Sequence, residues 1–286
     1  MPFEWLLYPA LGIVAGLLAG LLGIGGGLVL VAALALLLPS RGVPADAAMH
    51  AALATSLTSV ILTAAASARA HHRRGSVLWP TAAWLLPGLL LGGWLGSLLA
   101  TRLSGQSLRV FVVAYCVLAA AQLLLDWPKP KPGAGAVPVP RGAGLSAIGT
   151  LIGAVSALVG IGGGSMTVPI LIWRGVSPVK AVGTSSACGV AIGLAAASGY
   201  ALNSSVAGMP AGSWGYVFLP AALGIAITSV LAAPYGTALA HHVSGVTLKR
   251  IFACFLLAMA ALLAGWGPQH IPEGLHQDSP PPSALH

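Results

Sequence analysis

The chain has 286 residues, of which 57% are hydrophobic and only 6% charged, and its mean hydropathy is +0.92. A soluble domain carries about 25% charged residues, so the composition excludes a water-soluble globular fold and indicates a polytopic membrane protein. The formal charge of +8 does not point to nucleic acid, because the basic residues sit in short loops between apolar runs, the pattern that orients membrane proteins.

The chain opens with Met1-Pro2-Phe3-Glu4, without the basic start of a cleavable signal peptide. Apolar segments follow near 5–38, 47–68, 77–101 and 108–126, and again near 143–173, 179–201, 214–240 and 247–266. About 20 apolar residues suffice to cross a bilayer. Between the two sets lies "DWPKPKPGAGAVPVPRG", whose prolines favour a stiff, extended linker. The expected architecture is all-α. It has a first transmembrane repeat over 1–126, a Pro-rich cytoplasmic linker over 127–142, a second repeat over 143–267 and a polar, disordered tail over 268–286. The eight hydrophobic segments can supply up to ten helices. Internal repeats in a membrane protein indicate a secondary transporter with its site where the repeats meet.

The first segment contains "GIGGG" at 23–27, and the fifth contains it again at 160–164. Glycine weakens a helix interior by roughly 1 kcal/mol relative to alanine, so the bare backbone is what these positions need. Neither run completes the dinucleotide pattern G-x-G-x-x-G, because Leu28 and Ser165 occupy the final position, and no Walker A lysine follows. Glycines spaced by four (Gly12/Gly16/Gly20, Gly88/Gly92/Gly96 and Gly189/Gly193) read instead as close helix packing. Consecutive glycines face all sides of a helix, so GIGGG reads as a break.

Charge placement bears on what the break does. The loop "RAHHRRGS" at 69–76 is the best cytoplasmic anchor. If each Gly segment interrupts a single span, six of the thirteen Lys and Arg face the cytoplasm. If each is the tip of a helical hairpin, Arg174, Lys180, Lys249 and Arg250 join them, making ten of thirteen. The hairpin arrangement obeys the positive-inside bias and makes the halves inverted repeats. Six tryptophans (Trp5, Trp79, Trp127, Trp173, Trp214 and Trp266) fall near span ends, where aromatic belts sit.

Each tip starts a helix whose first amides lack intrahelical partners and whose dipole favours an anion. The amides of Gly26, Gly27 and Leu28, and those of Gly163, Gly164 and Ser165, are therefore the candidate anion site, two N-termini facing each other near the midplane, to which the Ser165 hydroxyl can add a donor. A Thr-Ser pair recurs downstream of each tip: Thr55 and Ser56, then Thr184 and Ser185. Their hydroxyls either add donors to that site or bond back to their own helices.

The paired GIGGG segments, "GIGGGSMTVP" at 160–169 and "GTS" at 183–185 resemble the sulfite exporter TauE/SafE family of membrane transporters, over about residues 8–266. The resemblance implies export of sulfite or a short organosulfonate across the bacterial inner membrane. It also implies a substrate-binding role for Gly25, Gly26, Gly27, Gly162, Gly163 and Gly164 and for Thr55, Ser56, Thr184 and Ser185. One departure is Ala32, where the second half has Pro169. A channel, or a carrier of another small oxyanion or carboxylate, is the alternative.

The remaining residues narrow the class. His50 reads as a boundary histidine facing water, and His71, His72, His241 and His242 as cytoplasmic surface. Cys116, Cys188 and Cys254 read as core packing without metal-ligand spacing. No nucleotide-binding module or buried catalytic dyad is visible, so neither ATP-driven pumping nor enzymatic activity is expected. The expected partners are a small anion and the lipid bilayer, not nucleic acid; no metal or cofactor is expected, and a homodimer is left open.

Overall fold

The computed structural model describes residues 6–23, 26–125, 141–202, 208–240, 242–243 and 245–265. Gly25, all of the Pro-rich linker except Arg141 and Gly142, His241 and the 268–286 tail lie outside the described residues.

In chain order the helices are α1 (Leu7–Leu22), α2 (Gly27–Leu37), α3 (Ala48–Arg73), α4 (Trp79–Arg102) and α5 (Gly105–Leu124). They are followed by α6 (Ala143–Val159), α7 (Gly164–Trp173), α8 (Pro178–Leu202), α9 (Leu219–Ala240) and α10 (Gly245–Gly265). A two-stranded antiparallel ribbon, β1 (Ser213–Trp214) and β2 (Val217–Phe218), leads into α9. Helices α3, α4, α5, α8 and α9 are long and apolar enough to cross a membrane. The chain is an all-α, multi-pass membrane protein.

Helices α1, α2, α6 and α7 are shorter, and the glycines explain why. Gly23 ends α1 with φ 71° and Gly26 precedes α2 with φ 69°; Gly160 and Gly163 repeat this around α7 with φ 78° and 76°. Left-handed backbone is strained for residues with a Cβ and open to glycine. The chain reverses at both places. A Cβ on Gly26 would stand 2.3 Å from the Ala15 carbonyl oxygen of α1. The Arg41 guanidinium, just beyond α2, lies 5.7 Å from the centre of the Tyr8 ring at the start of α1. In the second half, a Cβ on Gly163 would lie 3.4 Å from Ser156 Oγ of α6. These are hairpins, not interrupted single spans. The 11 residues of α2 reach only about 16 Å at 1.5 Å per residue, about half the hydrocarbon core. Pro169 sits within α7.

The glycines spaced by four set the packing. Along α1, Gly12, Gly16 and Gly20 lie on the backbone carbonyls of Ile225, Ser229 and Ala233 of α9. Along α4, Gly88, Gly92 and Gly96 lie on those of Ser146, Thr150 and Ala154 of α6. Both series advance together, so each pair runs parallel. Gly183, Gly189 and Gly193 of α8 meet His71, Ala64 and Leu57 of α3 in descending order, so α3 and α8 are antiparallel. The main contacts are exchanged between halves: α1 with α9, α6 with α4, α3 with α8 and α5 with α10.

Several side chains depart from the sequence reading. His50 and His71 do not face water; they are 5% and 0% exposed. The last turn of α3 points His71 inward, where Nε2 donates to the Gly20 carbonyl at 3.2 Å. His50 Nε2 donates to the Leu103 carbonyl at 2.9 Å, and its ring stacks on Tyr216 with centroids 4.9 Å apart. His72 does lie at the surface, taking a hydrogen bond from Trp79 Nε1 at 3.1 Å. Cys116 and Cys188 are buried, whereas Cys254 is exposed on α10. Trp79, Trp173 and Trp214 are exposed at element ends.

Candidate functional site

The two hairpin tips touch. A Cβ on Gly27 would stand 2.3 Å from the Gly160 carbonyl oxygen and 3.0 Å from Ile161 Cα, so only glycine permits this approach. The Ser56 hydroxyl on α3 sits between them, 3.0 Å from the Gly27 carbonyl and 2.9 Å from that of Gly160. Ser185 on α8 donates to the Gly23 carbonyl at 3.0 Å. Each half thus reaches across to hold the other's tip. Ser56 stands eight residues into α3, about 12 Å along it. The tips therefore lie well inside the spans.

The threonines of the recurrent pairs also act across the halves. Thr55 Oγ1 accepts the Phe218 amide at 3.0 Å, where the chain enters α9. Thr184 Oγ1 accepts the Leu78 amide at 3.0 Å, where it enters α4, and donates to the Lys180 carbonyl at 2.7 Å. Thr184 thus bonds back to its own helix as well. A further repeat lies fifteen residues past each serine. His71 bonds the Gly20 carbonyl, and Tyr200 donates to the Ala157 carbonyl at 3.1 Å; Gly20 and Ala157 each stand three residues before their GIGGG.

Gly26, Gly27, Thr55, Ser56, Gly162, Gly163, Gly164, Ser165, Thr184 and Ser185 are all buried, but they do not share one centre. Gly27 and Ser56 meet the second tip, whereas Thr184 and Ser185 follow Gly183, which packs on His71 toward the other end of α3 from Thr55 and Ser56. Gly189 of α8 closes on the Gly162 carbonyl, with a Cβ position 3.1 Å away. At the α7 tip the amides of Met166 and Thr167 both reach back to the Gly163 carbonyl, at 3.2 and 2.9 Å. The amides of Gly164 and Ser165 precede these first bonds, as the first amides of any helix do. Ser165 is 5% exposed and its hydroxyl bonds that of Tyr115 on α5. Tyr115 was not legible as a site residue. Its one signal is that the matching position of the second half, eleven residues past the serine of "VSG", is Phe255.

No Asp, Glu, Lys or Arg lies in residues 5–40, 47–68 or 181–248, the segments that carry the first tip and the Thr-Ser pairs. The polar groups at the tips are therefore backbone amides, carbonyls and neutral hydroxyls. Such a site recognises charge through oriented dipoles and not through a counter-ion.

Comparison with known proteins places the chain in a family. The sequence profile of the family described as "Sulfite exporter TauE/SafE" matches residues 8–263. A "probable membrane transporter protein" of Haemophilus influenzae is 35% identical over 258 residues, covering 89% of this chain and 96% of that protein. One of Xylella fastidiosa is 30% identical over 262 residues, covering 87% and 90%. The Bacillus subtilis "probable membrane transporter protein YtnM" is 29% identical over 231 residues, covering 79% and 73%. No solved structure matches the chain. The chain belongs to the sulfite exporter TauE/SafE family of membrane transporters.

Proposed function

We propose that this transporter carries a small sulfur oxyanion, sulfite or a short organosulfonate, out of the cell across the bacterial inner membrane. The observation that supports it is the meeting of two glycine tips, each of which leads into a short helix, where Gly27 at the start of α2 touches Gly160 at the end of α6, in segments without lysine or arginine. First-turn amides and the positive end of the dipole favour a compact anion. Neutral donors hold it weakly enough to release it. The glycines of both tips keep the backbone within reach. In this reading Ser56 and Ser185 position the tips by the bonds described above, and Thr55 and Thr184 hold the entries to α9 and α4. The two halves act as inverted repeats, with residues 69–76, 126–142, 174–180 and 241–250 on the cytoplasmic side. Access would alternate by rocking one set of helices against the other around the tips. The protein moves its substrate without chemical change.

The test is a competition panel on purified protein in liposomes. Flux of radiolabelled sulfite should saturate, and thiosulfate and methanesulfonate should compete for it. Transport of neutral sugars or amines with no competition from these anions would reject the proposal. Linear, non-saturating sulfite flux would mark a channel in place of a carrier.

A further inference from the structure

Although the tips match in backbone, they differ in chemistry. Aligned on their GIGGG motifs, Ala19, Leu28 and Leu30 of the first half stand where the second half has Ser156, Ser165 and Thr167. The exchange extends to the helix behind the second tip, where Tyr115 stands against Phe255. All three apolar residues of the first tip are packed, at 0%, 1% and 0% exposure.

The hydroxyls of the second tip are buried as deeply but not satisfied. Ser156 and Thr167 are 0% and 1% exposed, and neither hydroxyl oxygen has a hydrogen-bond partner among the described residues. Ser156 Oγ lies 3.4 Å from the place a Cβ on Gly163 would take, directly at the residue that caps α7. Ser165 and Tyr115 bond one another. Two hydroxyls supply two protons and one bond uses one of them, so one proton is left over. Buried donors without acceptors are costly and rare. Here Ser156 and the Ser165–Tyr115 pair stand at a helix N-terminus whose first amides are donors too, while Thr167, two residues past Ser165, leaves the helix on its other side. The Ser156 hydroxyl and the surplus proton of the Ser165–Tyr115 pair lack acceptors among the described residues, and an anion is all acceptor.

We infer that the second tip alone is the oxyanion cradle, formed by the Gly164 and Ser165 amides with the hydroxyls of Ser156, Ser165 and Tyr115, and that the first tip is its packed, non-binding counterpart. This rests on the anion-transport reading above and narrows it to one half of the molecule. The ligand is a single compact oxyanion group of a sulfite or sulfonate. The first tip's part is mechanical: Gly27 abuts Gly160, and Ser56 ties the two together.

The test measures sulfite and methanesulfonate Kd on the full chain in detergent, with the melting temperature of each variant. Ser156→Ala should weaken binding about tenfold without lowering the melting temperature, since it removes an unsatisfied donor. Ser165→Ala should weaken binding as much, with a lower melting temperature because the Tyr115 hydroxyl loses its partner. Ser165→Thr, which keeps the hydroxyl, should bind within about twofold of the parent. Leu28→Ala should lower the melting temperature through lost packing while leaving Kd within about twofold. If Leu28→Ala weakens binding as much as Ser165→Ala does, or if Ser156→Ala and Ser165→Ala bind normally, the one-sided cradle is wrong. Tyr115→Phe gives an independent check should Ser165→Ala fail to fold, and normal binding by folded Tyr115→Phe would likewise count against it. If the parent protein binds neither anion, the anion-transport reading itself fails, an outcome separate from these.

Discussion

The Ser185 hydroxyl donates to the Gly23 carbonyl across 3.0 Å, joining a long helix of the second half to the residue that ends α1 in the first. Ser56 does the converse, bonding the Gly160 carbonyl at 2.9 Å and the Gly27 carbonyl at 3.0 Å. Left-handed glycines turn the chain at the tips, and these serines fix where the turned chain lies. The fold of each half is completed by a hydroxyl of the other.

Removing those hydroxyls should loosen the tips. Ser185→Ala leaves a buried carbonyl short of a partner, a loss of about 1 kcal/mol. Ser56→Ala frees two carbonyls and should cost more. Thermal unfolding in detergent orders them: Ser56→Ala lowest, Ser185→Ala next, parent highest. Equal melting temperatures for all three would show that the cross-half bonds do not hold the tips.

The glycine stripes give a second, sharper comparison. A Cβ on Gly16 would stand 2.4 Å from the Ser229 carbonyl oxygen, and one on Gly92 2.0 Å from that of Thr150. Gly144, near the start of α6, would meet nothing within 4 Å. Gly16→Ala and Gly92→Ala should therefore lower the melting temperature by forcing helices apart. Gly144→Ala should leave the stability unchanged or raise it by up to about 1 kcal/mol, the helix preference of alanine. A Gly92→Ala variant as stable as the parent would contradict the close parallel packing of α4 on α6.

Much of this was readable in the chain itself, and what was not has physical causes. The helix breaks were legible in GIGGG, since a run of glycines with left-handed members leaves its mark in sequence. The packing stripes were legible because a spacing of four is one helix face. The Thr-Ser pairs were visible as a repeat, but their partners were not. Phe218, Leu78, Gly23 and Gly160 come from distant elements, and sequence spacing carries no distance between helices. His71 was misplaced because Arg73 and Arg74 beside it face water; on a helix end, neighbours two residues apart point to different sides. Ser156 and Tyr115 looked like ordinary span residues. Only the aligned halves, with Ala19 and Phe255 opposite them, set them apart.

The pH dependence of stability should report on the ribbon. Tyr216, outside the spans, has its phenol pKa raised above the ordinary 10.0, first by burial and second by the Asp46 carboxylate. A raised value means the folded state holds its proton more tightly than the unfolded chain. The stabilisation is thus complete below about pH 10 and is lost as pH rises through the higher folded value. Tyr216→Phe, which cannot ionise, should flatten the melting temperature above about pH 10. An alkaline loss as steep as the parent's would place its cause elsewhere.

Topology can be checked by labelling. Single cysteines at Gly75 and Ser177, in a background lacking Cys116, Cys188 and Cys254, should both resist an impermeant thiol reagent added outside intact cells. Both should react once the membrane is opened. External labelling at 177 with protection at 75 would contradict the inverted arrangement of the halves.

Counterflow of sulfite in liposomes bears most directly on the function. Vesicles holding the purified protein and loaded with unlabelled sulfite are diluted into a trace of radiolabelled sulfite. A carrier with one oxyanion site that alternates its access should show transient accumulation of label above equilibrium, abolished in Ser165→Ala and retained in Ser165→Thr. Label that never exceeds its equilibrium level, or that enters no faster than in protein-free vesicles, would contradict a sulfur-oxyanion carrier built on these tips.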